Sequence, residues 1–236
     1  SRIIMLKKVS VDELMRLLLT EPPFFQWFLE EITVNVTEMF RDPVFYKALN
    51  TQVIPYLSGF DHIRAWSAGC SSGEEVYSLS ILLNLAGLSD RSFIYGTDIH
   101  AAMLNEARSG VYSLRKIKSY EENYRQTELP GSLTDHFLMM NDAAGIRGNL
   151  RQNTLFSAHN LLTDSVFNQF QLISCRNVFI YFESTLQEKI LKLFYDSLSP
   201  MGFLCLGTKE TIRFPEMKNK FRVVNSKVNI YQKIGE

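Results

Sequence analysis

The sequence predicts an α/β fold built on a mostly parallel sheet, on three observations. From Ile63 onward, apolar runs of strand length alternate with helix-length patterns, which implies parallel strands covered on both faces. The stretch IRAWSAGCSSGEEVYSLSILL (Ile63 to Leu83) passes from an apolar strand through a small-residue turn straight into a helix, as in sheets that present a ligand to a helix N-terminus. At the end, FRVVNSKVNIYQK (Phe221 to Lys233) reads as a hairpin around Asn225-Ser-Lys, an antiparallel addition to a parallel sheet.

The elements follow in order. Val11 to Leu19 reads as a helix with Leu14, Leu17 and Leu18 on one face. Pro22-Pro23 interrupts it, and Pro23 suits the first turn of a second helix through Ile32. Asp42-Pro43 reads as an N-cap and first helical position, opening a helix toward Tyr56. Strands are expected at Ile63–Ala68, Ser92–Thr97, Thr154–His159, Phe170–Cys175 and Gly202–Gly207, with helices at Glu74–Ala86, Ala101–Ser109 and Ser184–Leu198. The segment His136 to Phe156 does not fit the alternation. Its two short strand-like runs around Asn141-Asp-Ala-Ala-Gly145 predict a small inserted hairpin.

Composition excludes several classes of function. Lys+Arg and Asp+Glu number 25 each among 236 residues, so no global field draws the chain to nucleic acid or anionic lipid. No apolar run reaches the length of a membrane span, and the N-terminus lacks a signal-peptide core. Cys70, Cys175 and Cys205 form no CxxC pair, and His62, His100, His136 and His159 are scattered. These spacings argue against a disulfide framework or a metal centre and fit a reducing cytoplasm.

The glycine turn carries the first functional signal. A dinucleotide site would place GxGxxG there, with pyrophosphate on the helix N-terminus. Here only Gly69 and Gly73 are present, and Glu74 and Glu75 open the helix. Two acids complement the positive end of the helix dipole but repel a pyrophosphate. A ligand with a cationic end suits the turn better, and S-adenosylmethionine, with its ammonium and sulfonium, is such a ligand. The second strand ends at Asp98, roughly 25 residues beyond the turn, where an acid can accept hydrogen bonds from ribose hydroxyls. Capping of the helix at Ala101 is the competing role.

Five stretches occur in an order that resembles the CheR-type chemotaxis receptor methyltransferases: ITVNVTEMFRD, WSAGCSSGEEVYSL, TDIHAAMLNEARSGVY, HNLL and CRNVFIYF. The resemblance covers almost the whole chain. It implies a class I S-adenosylmethionine-dependent methyltransferase fold with a terminal antiparallel hairpin, an inserted small antiparallel β-subdomain at about 133–153 and a short N-terminal helical domain. The expected division is 1–35 for the helical domain and 36–236 for the methyltransferase domain. It also implies transfer of a methyl group from S-adenosylmethionine to glutamate side chains on the cytoplasmic helices of chemoreceptors, leaving S-adenosylhomocysteine.

Carried over by position, Asn35, Thr37, Arg41, Gly69, Glu75, Asp98, Asn160, Leu161, Arg176 and Asn177 are the expected cofactor-binding residues. Arg41 and Tyr181 are expected beside the reacting groups, and Arg2, Lys7 and Lys8 fall where the family's basic docking helix runs. Gln171 stands where the family usually has an acid, and GTKET (Gly207 to Thr211) replaces a more usual His-containing turn. The expected partner is a receptor helical domain, with no nucleic acid and no metal, and the expected state is a cytoplasmic bacterial monomer that is not membrane-inserted. The competing readings are a methyltransferase for another acceptor and a non-catalytic S-adenosylmethionine-binding regulator.

Overall fold

The computed structural model describes residues 10–21, 23, 24, 27, 28, 31 and 37–235. The chain divides into two compact units, Ser1–Val36 and Thr37–Glu236. In the first unit, α1 (Val11–Thr20) is opened by Ser10, whose hydroxyl accepts from the Glu13 N–H at 3.1 Å. Pro23, Phe24, Trp27, Phe28 and Glu31 are also helical. The expected site residues Arg2, Lys7, Lys8 and Asn35 lie outside the described residues.

The second unit begins with a helical segment of three parts: α2 (Pro43–Ala48), a π-helical stretch (Leu49–Val53) and α3 (Ile54–Leu57). Pro55 explains the widened middle. It has no N–H for the carbonyl four residues back and its ring crowds that carbonyl, which the wider π-turn relieves. Asp42 precedes α2 in a left-handed conformation (φ 59°) and makes no side-chain cap bond. Asp42 thus holds the expected N-cap position with Pro43 after it, but its carboxylate does not cap the helix and is committed to Arg176.

The remaining elements are β1 (Ile63–Ala68), α4 (Glu74–Leu85), β2 (Ser92–Asp98), α5 (Ala101–Ser109), β3 (Val111–Ser113), α6 (Leu114–Gln126), β4 (Phe137–Met139), β5 (Ala143–Ile146), α7 (Gly148–Arg151), β6 (Thr154–Ala158), β7 (Phe170–Cys175), α8 (Ser184–Ser197), β8 (Leu198–Leu206), α9 (Pro215–Lys218), β9 (Phe221–Asn225) and β10 (Ile230–Lys233). Seven strands form one sheet in the order β6-β2-β1-β7-β8-β10-β9. The first five are parallel, and β10 and β9 are antiparallel additions. From β1 the chain winds outward through β2 to β6, then returns to place β7 on the other side of β1. The winding reverses between β1 and β7, and ligands of such sheets bind at the carboxyl ends of the strands flanking this point.

Every residue of β7 is buried, Gln171 and Ser174 included, as in a strand covered on both faces. Trp66 on β1 anchors one side of the sheet. Its ring lies 5.3 Å from those of both Phe170 and Phe194, and its indole N–H donates to the Thr97 hydroxyl at 2.8 Å.

The inserted subdomain is larger than a hairpin. Its sheet has three strands, β3-β5-β4, all antiparallel. Residues 111–113 supply one of its two edge strands, so the insertion begins well before 133 and includes α6 between its first two strands. Ala143–Gly145, expected as a loop tip, belongs to β5, and the turn is confined to 140–142. A three-residue strand carries too little alternation to be read from sequence. By contrast, α6 has a readable signal: Ser113 accepts from the Lys116 N–H, and Ile117, Tyr120 and Tyr124 recur on its buried face.

Truncating the sheet's aromatic anchor should be costly. Trp66→Ala is expected to destabilise the second unit by about 3–5 kcal/mol, and Trp66→Phe by about 1–2 kcal/mol through loss of the bond to Thr97. Urea unfolding followed by circular dichroism checks both.

Candidate functional site

The crevice at the carboxyl ends of β1, β2 and β7 is built around two left-handed glycines. Gly69 (φ 78°) follows β1, and the N–H groups of Gly69 and Cys70 both donate to the Thr97 carbonyl, at 2.8 and 2.9 Å. A Cβ at Gly69 would stand 2.5 Å from Cγ2 of Val178, and one at Gly73 (φ 89°) would stand 2.9 Å from the Ala107 Cβ. Only glycine permits this turn at both ends. It brings the loop after β7 against the loop after β1.

Asp98 closes the turn from β2. Its carboxylate accepts from the Ser71 N–H at 2.8 Å and the His100 N–H at 3.0 Å. His100, not Asp98, occupies the N-cap position of α5, so the competing capping role for Asp98 does not hold. Two backbone bonds leave half of the carboxylate's acceptor capacity for a ligand. The neighbouring Ser71 hydroxyl is buried with no hydrogen-bond partner among the described residues, in a residue held at φ 48°. A buried orphan hydroxyl in a strained turn marks a place where a partner from outside is wanted.

The two glutamates at the start of α4 have opposite fates. Glu74 is fully buried and turned away from the crevice: it accepts from the Ser72 hydroxyl at 2.8 Å, the Tyr120 hydroxyl at 3.0 Å and the Lys116 ammonium at 3.1 Å. Glu74 is therefore committed to the protein interior, and Glu75 is the expected cofactor-binding acid of the pair. Glu75 accepts from the Ser67 hydroxyl at 2.8 Å and pairs with Arg176 at 3.3 Å.

Arg176, the residue after β7, is the hub of the site. Its side chain is 2% exposed. One guanidinium nitrogen donates to the Asp42 carboxylate at 2.7 Å and to the Arg41 carbonyl at 3.0 Å, the other faces Glu75, and the group lies 4.0 Å from the Phe45 ring centroid. Burial works against its charge, but Glu75, Tyr46 and Asp42 outweigh that effect and raise its pKa above the ordinary arginine value. The segment it grips is unusual. Phe40 and Asp42 both have positive φ, at 53° and 59°, and the Phe40 N–H is held by the Ser78 hydroxyl at 2.9 Å. Arg41 sits half-buried between them, and Thr37 opens the same segment.

Other expected residues serve the loops. Asn177 is left-handed (φ 62°), and its N–H donates to the Glu210 carboxylate at 2.8 Å. Asn160 turns its side-chain oxygen onto the Leu162 N–H at 3.0 Å, while Leu161 packs in the core beside Trp66. Tyr181 ends a short 3₁₀ turn, Phe179–Tyr181, and is 52% exposed.

Glu210 was missed by sequence reasoning. It lies in GTKET and accepts from the N–H groups of Gly207 at 2.6 Å, Asn177 at 2.8 Å and Ile180 at 3.4 Å. Burial raises its pKa although those N–H groups pull the other way. Its signal was the departure from the family's turn. Gln171, the other departure, accepts from the Arg64 N–H at 2.7 Å and so serves strand packing.

The donor set fits S-adenosylmethionine: two carboxylates at the glycine turn, an orphan hydroxyl beside them, and one arginine already neutralised by two acids. The comparisons agree. Residues 35–230 match the family described as CheR methyltransferase, SAM binding domain. The protein Cher3 of Pseudomonas putida is 41% identical over 225 residues, covering 95% of this chain and 82% of its own length. A chemotaxis protein methyltransferase of Listeria monocytogenes is 33% identical over 217 residues, covering 91% of this chain and 80% of its own. Another, from Salmonella typhimurium, is 33% identical over 190 residues, covering 79% and 64%. The chain belongs to the CheR methyltransferase family.

The buried hub gives a stability prediction. Arg176→Ala leaves Glu75 and Asp42 without their cation and should cost about 3–5 kcal/mol, as breaking a buried ion pair does. Arg176→Lys should recover less than half of that, since an ammonium cannot span both carboxylates and a carbonyl in one plane. Urea midpoints of the two variants check this.

Proposed function

We propose that this CheR-family chain transfers a methyl group from S-adenosylmethionine to glutamate side-chain carboxylates of chemoreceptor cytoplasmic helices, forming glutamate methyl esters. The observation that carries the reading is the acid-lined glycine turn at the reversal point of the sheet, with Glu75 and Asp98 on either side of it. The relatives named as chemotaxis protein methyltransferases support the acceptor class. No helix among the described residues is long and apolar enough to cross a membrane.

S-adenosylmethionine, when bound, supplies an electrophilic methyl group. Asp98 would hold the ribose hydroxyls and Glu75 the cofactor's ammonium. Gly69 would give its backbone room, Asn160 and Leu161 would flank the adenine, and Thr37 and Asn177 would line the rims. Arg176 would act through Glu75 and the Arg41 carbonyl as a positioning residue. An acceptor glutamate, with an ordinary pKa of about 4.3, is ionised at neutral pH and needs no general base. The chain's task is then orientation and exclusion of water. Arg41, held between two left-handed residues, would align the acceptor carboxylate, and Tyr181 would close the rim beside it.

Binding and turnover separate these roles. S-adenosylhomocysteine should bind at micromolar Kd and NAD not measurably, because Glu75 repels a pyrophosphate at the start of α4. Comparable NAD affinity in calorimetry would refute the cofactor assignment. Asp98→Ala should weaken S-adenosylhomocysteine by about 1–3 kcal/mol. An unchanged Kd would reduce Asp98 to its two backbone bonds. For Arg41→Ala, kcat on receptor-bearing membranes should fall at least about a hundredfold, with cofactor affinity lowered no more than about tenfold. Arg41→Lys should rescue little. Single-turnover methylation, read as base-labile label on receptor, decides it: near-normal rates would remove Arg41 from the reacting centre.

A further inference from the structure

Beside Tyr181 lies a second concavity that none of the roles above uses. A cavity of about 230 Å³ opens between the turn after β8 and the 3₁₀ turn that ends at Tyr181, lined by Phe179, Ile180, Gln187, Lys209, Glu210 and Arg213. Since β7 and β8 are parallel, both turns leave the sheet on the edge that carries the candidate site.

Its walls are fixed. The Gln187 amide donates to the carbonyls of Phe179 and Phe182, both at 3.0 Å, which braces the turn bearing Tyr181. Opposite, the Glu210 N–H donates to the Gly207 carbonyl at 2.9 Å, and the Thr211 hydroxyl lies 3.0 Å from that of Tyr231. The one carboxylate in the lining, Glu210, is buried and turned inward onto backbone N–H groups. The two cations are not so engaged. Lys209 and Arg213 are exposed, and among the described residues neither is paired with a carboxylate.

We infer that the Lys209–Arg213 cavity is an anion subsite that takes a second acidic side chain of the acceptor segment while its reacting glutamate sits at Tyr181. This rests on the proposed methyl transfer to glutamate and adds a substrate preference: acceptors carrying a further acid near the reacting one are favoured. A two-cation rim against an acidic partner strengthens encounter and sets register, at an energy that falls with salt.

The test uses the full chain loaded with S-adenosylhomocysteine and two fluorescent helical peptides. One carries an acceptor glutamate flanked by glutamates, and the other has the flanking residues as glutamines. At low salt the wild type should bind the acidic peptide at least about fivefold more tightly, the combined effect of two exposed ion pairs. The double variant Lys209→Gln/Arg213→Gln should lose that preference while keeping wild-type S-adenosylhomocysteine affinity and thermal midpoint. Lys209→Glu/Arg213→Glu should invert it. Equal binding of both peptides by the wild type, or a preference that survives in the glutamine double variant, overturns the subsite. Methyl transfer is read separately with labelled S-adenosylmethionine on the same peptides. Base-labile label without a charge preference refutes the subsite and leaves the proposed function standing. A charge preference that depends on Lys209 and Arg213, with no label on either peptide, refutes the acceptor role of the cavity together with the proposed function.

Discussion

A single buried guanidinium organises the site. Arg176 brings a charge into the protein at the end of β7, where desolvation is expensive, and two acids from different parts of the chain meet it. Asp42 belongs to the segment before the sheet and Glu75 to the first turn of α4. Three otherwise independent pieces are therefore fixed to one point across the reversal of the sheet. The left-handed backbone at Phe40 and Asp42 is the cost of bringing that segment close. The donor to the Arg41 carbonyl, the Ser78 bond to Phe40 and the stacking on Phe45 hold it there. Arg41 owes its place to this arrangement.

The acids of the site divide by what surrounds them. Glu74, one residue from Glu75, leaves the helix in a different direction because successive helical residues are about 100° apart. It meets Lys116 and Tyr120 of α6, so the inserted subdomain is bonded directly to the cofactor turn. The Tyr112 hydroxyl adds a bond from β3 to the Ser72 carbonyl at 2.8 Å. Glu210 plays the same part on the other side, holding the Asn177–Ile180 backbone in place. Acids thus frame the crevice from both sides, while Glu75 and Asp98 remain at the turn itself.

Some of this was legible in the residues alone. The strand–turn–helix from Ile63 to Leu83, the acid at Asp98 and the terminal hairpin follow from local patterns: alternation, small residues where a turn needs left-handed backbone, and apolar runs that a parallel sheet buries on both faces. Helix α6 was legible in principle through Ser113 and the spacing of Ile117, Tyr120 and Tyr124. Strand β3 was not, because three residues gain their identity only from the neighbour they pair with.

By itself the sequence determined the alternation of the main strands and helices, the parallel sheet with its antiparallel end, the glycine turn and the family, since each depends on residues close together in the chain. Only the tertiary structure decided that Glu74 is clamped by Lys116 and Tyr120 while Glu75 meets Arg176, that Asp42 gives its carboxylate to the same arginine, and that Lys209 and Arg213 share a cavity beside Tyr181. The acids meet partners 42 to 134 positions away, and a side chain's role is set by which of them reaches it when the sheet closes. A glutamate in a first helical turn favours the dipole whichever way it points. Burial against Lys116 or pairing with Arg176 gives it one role or the other, and packing alone makes that choice.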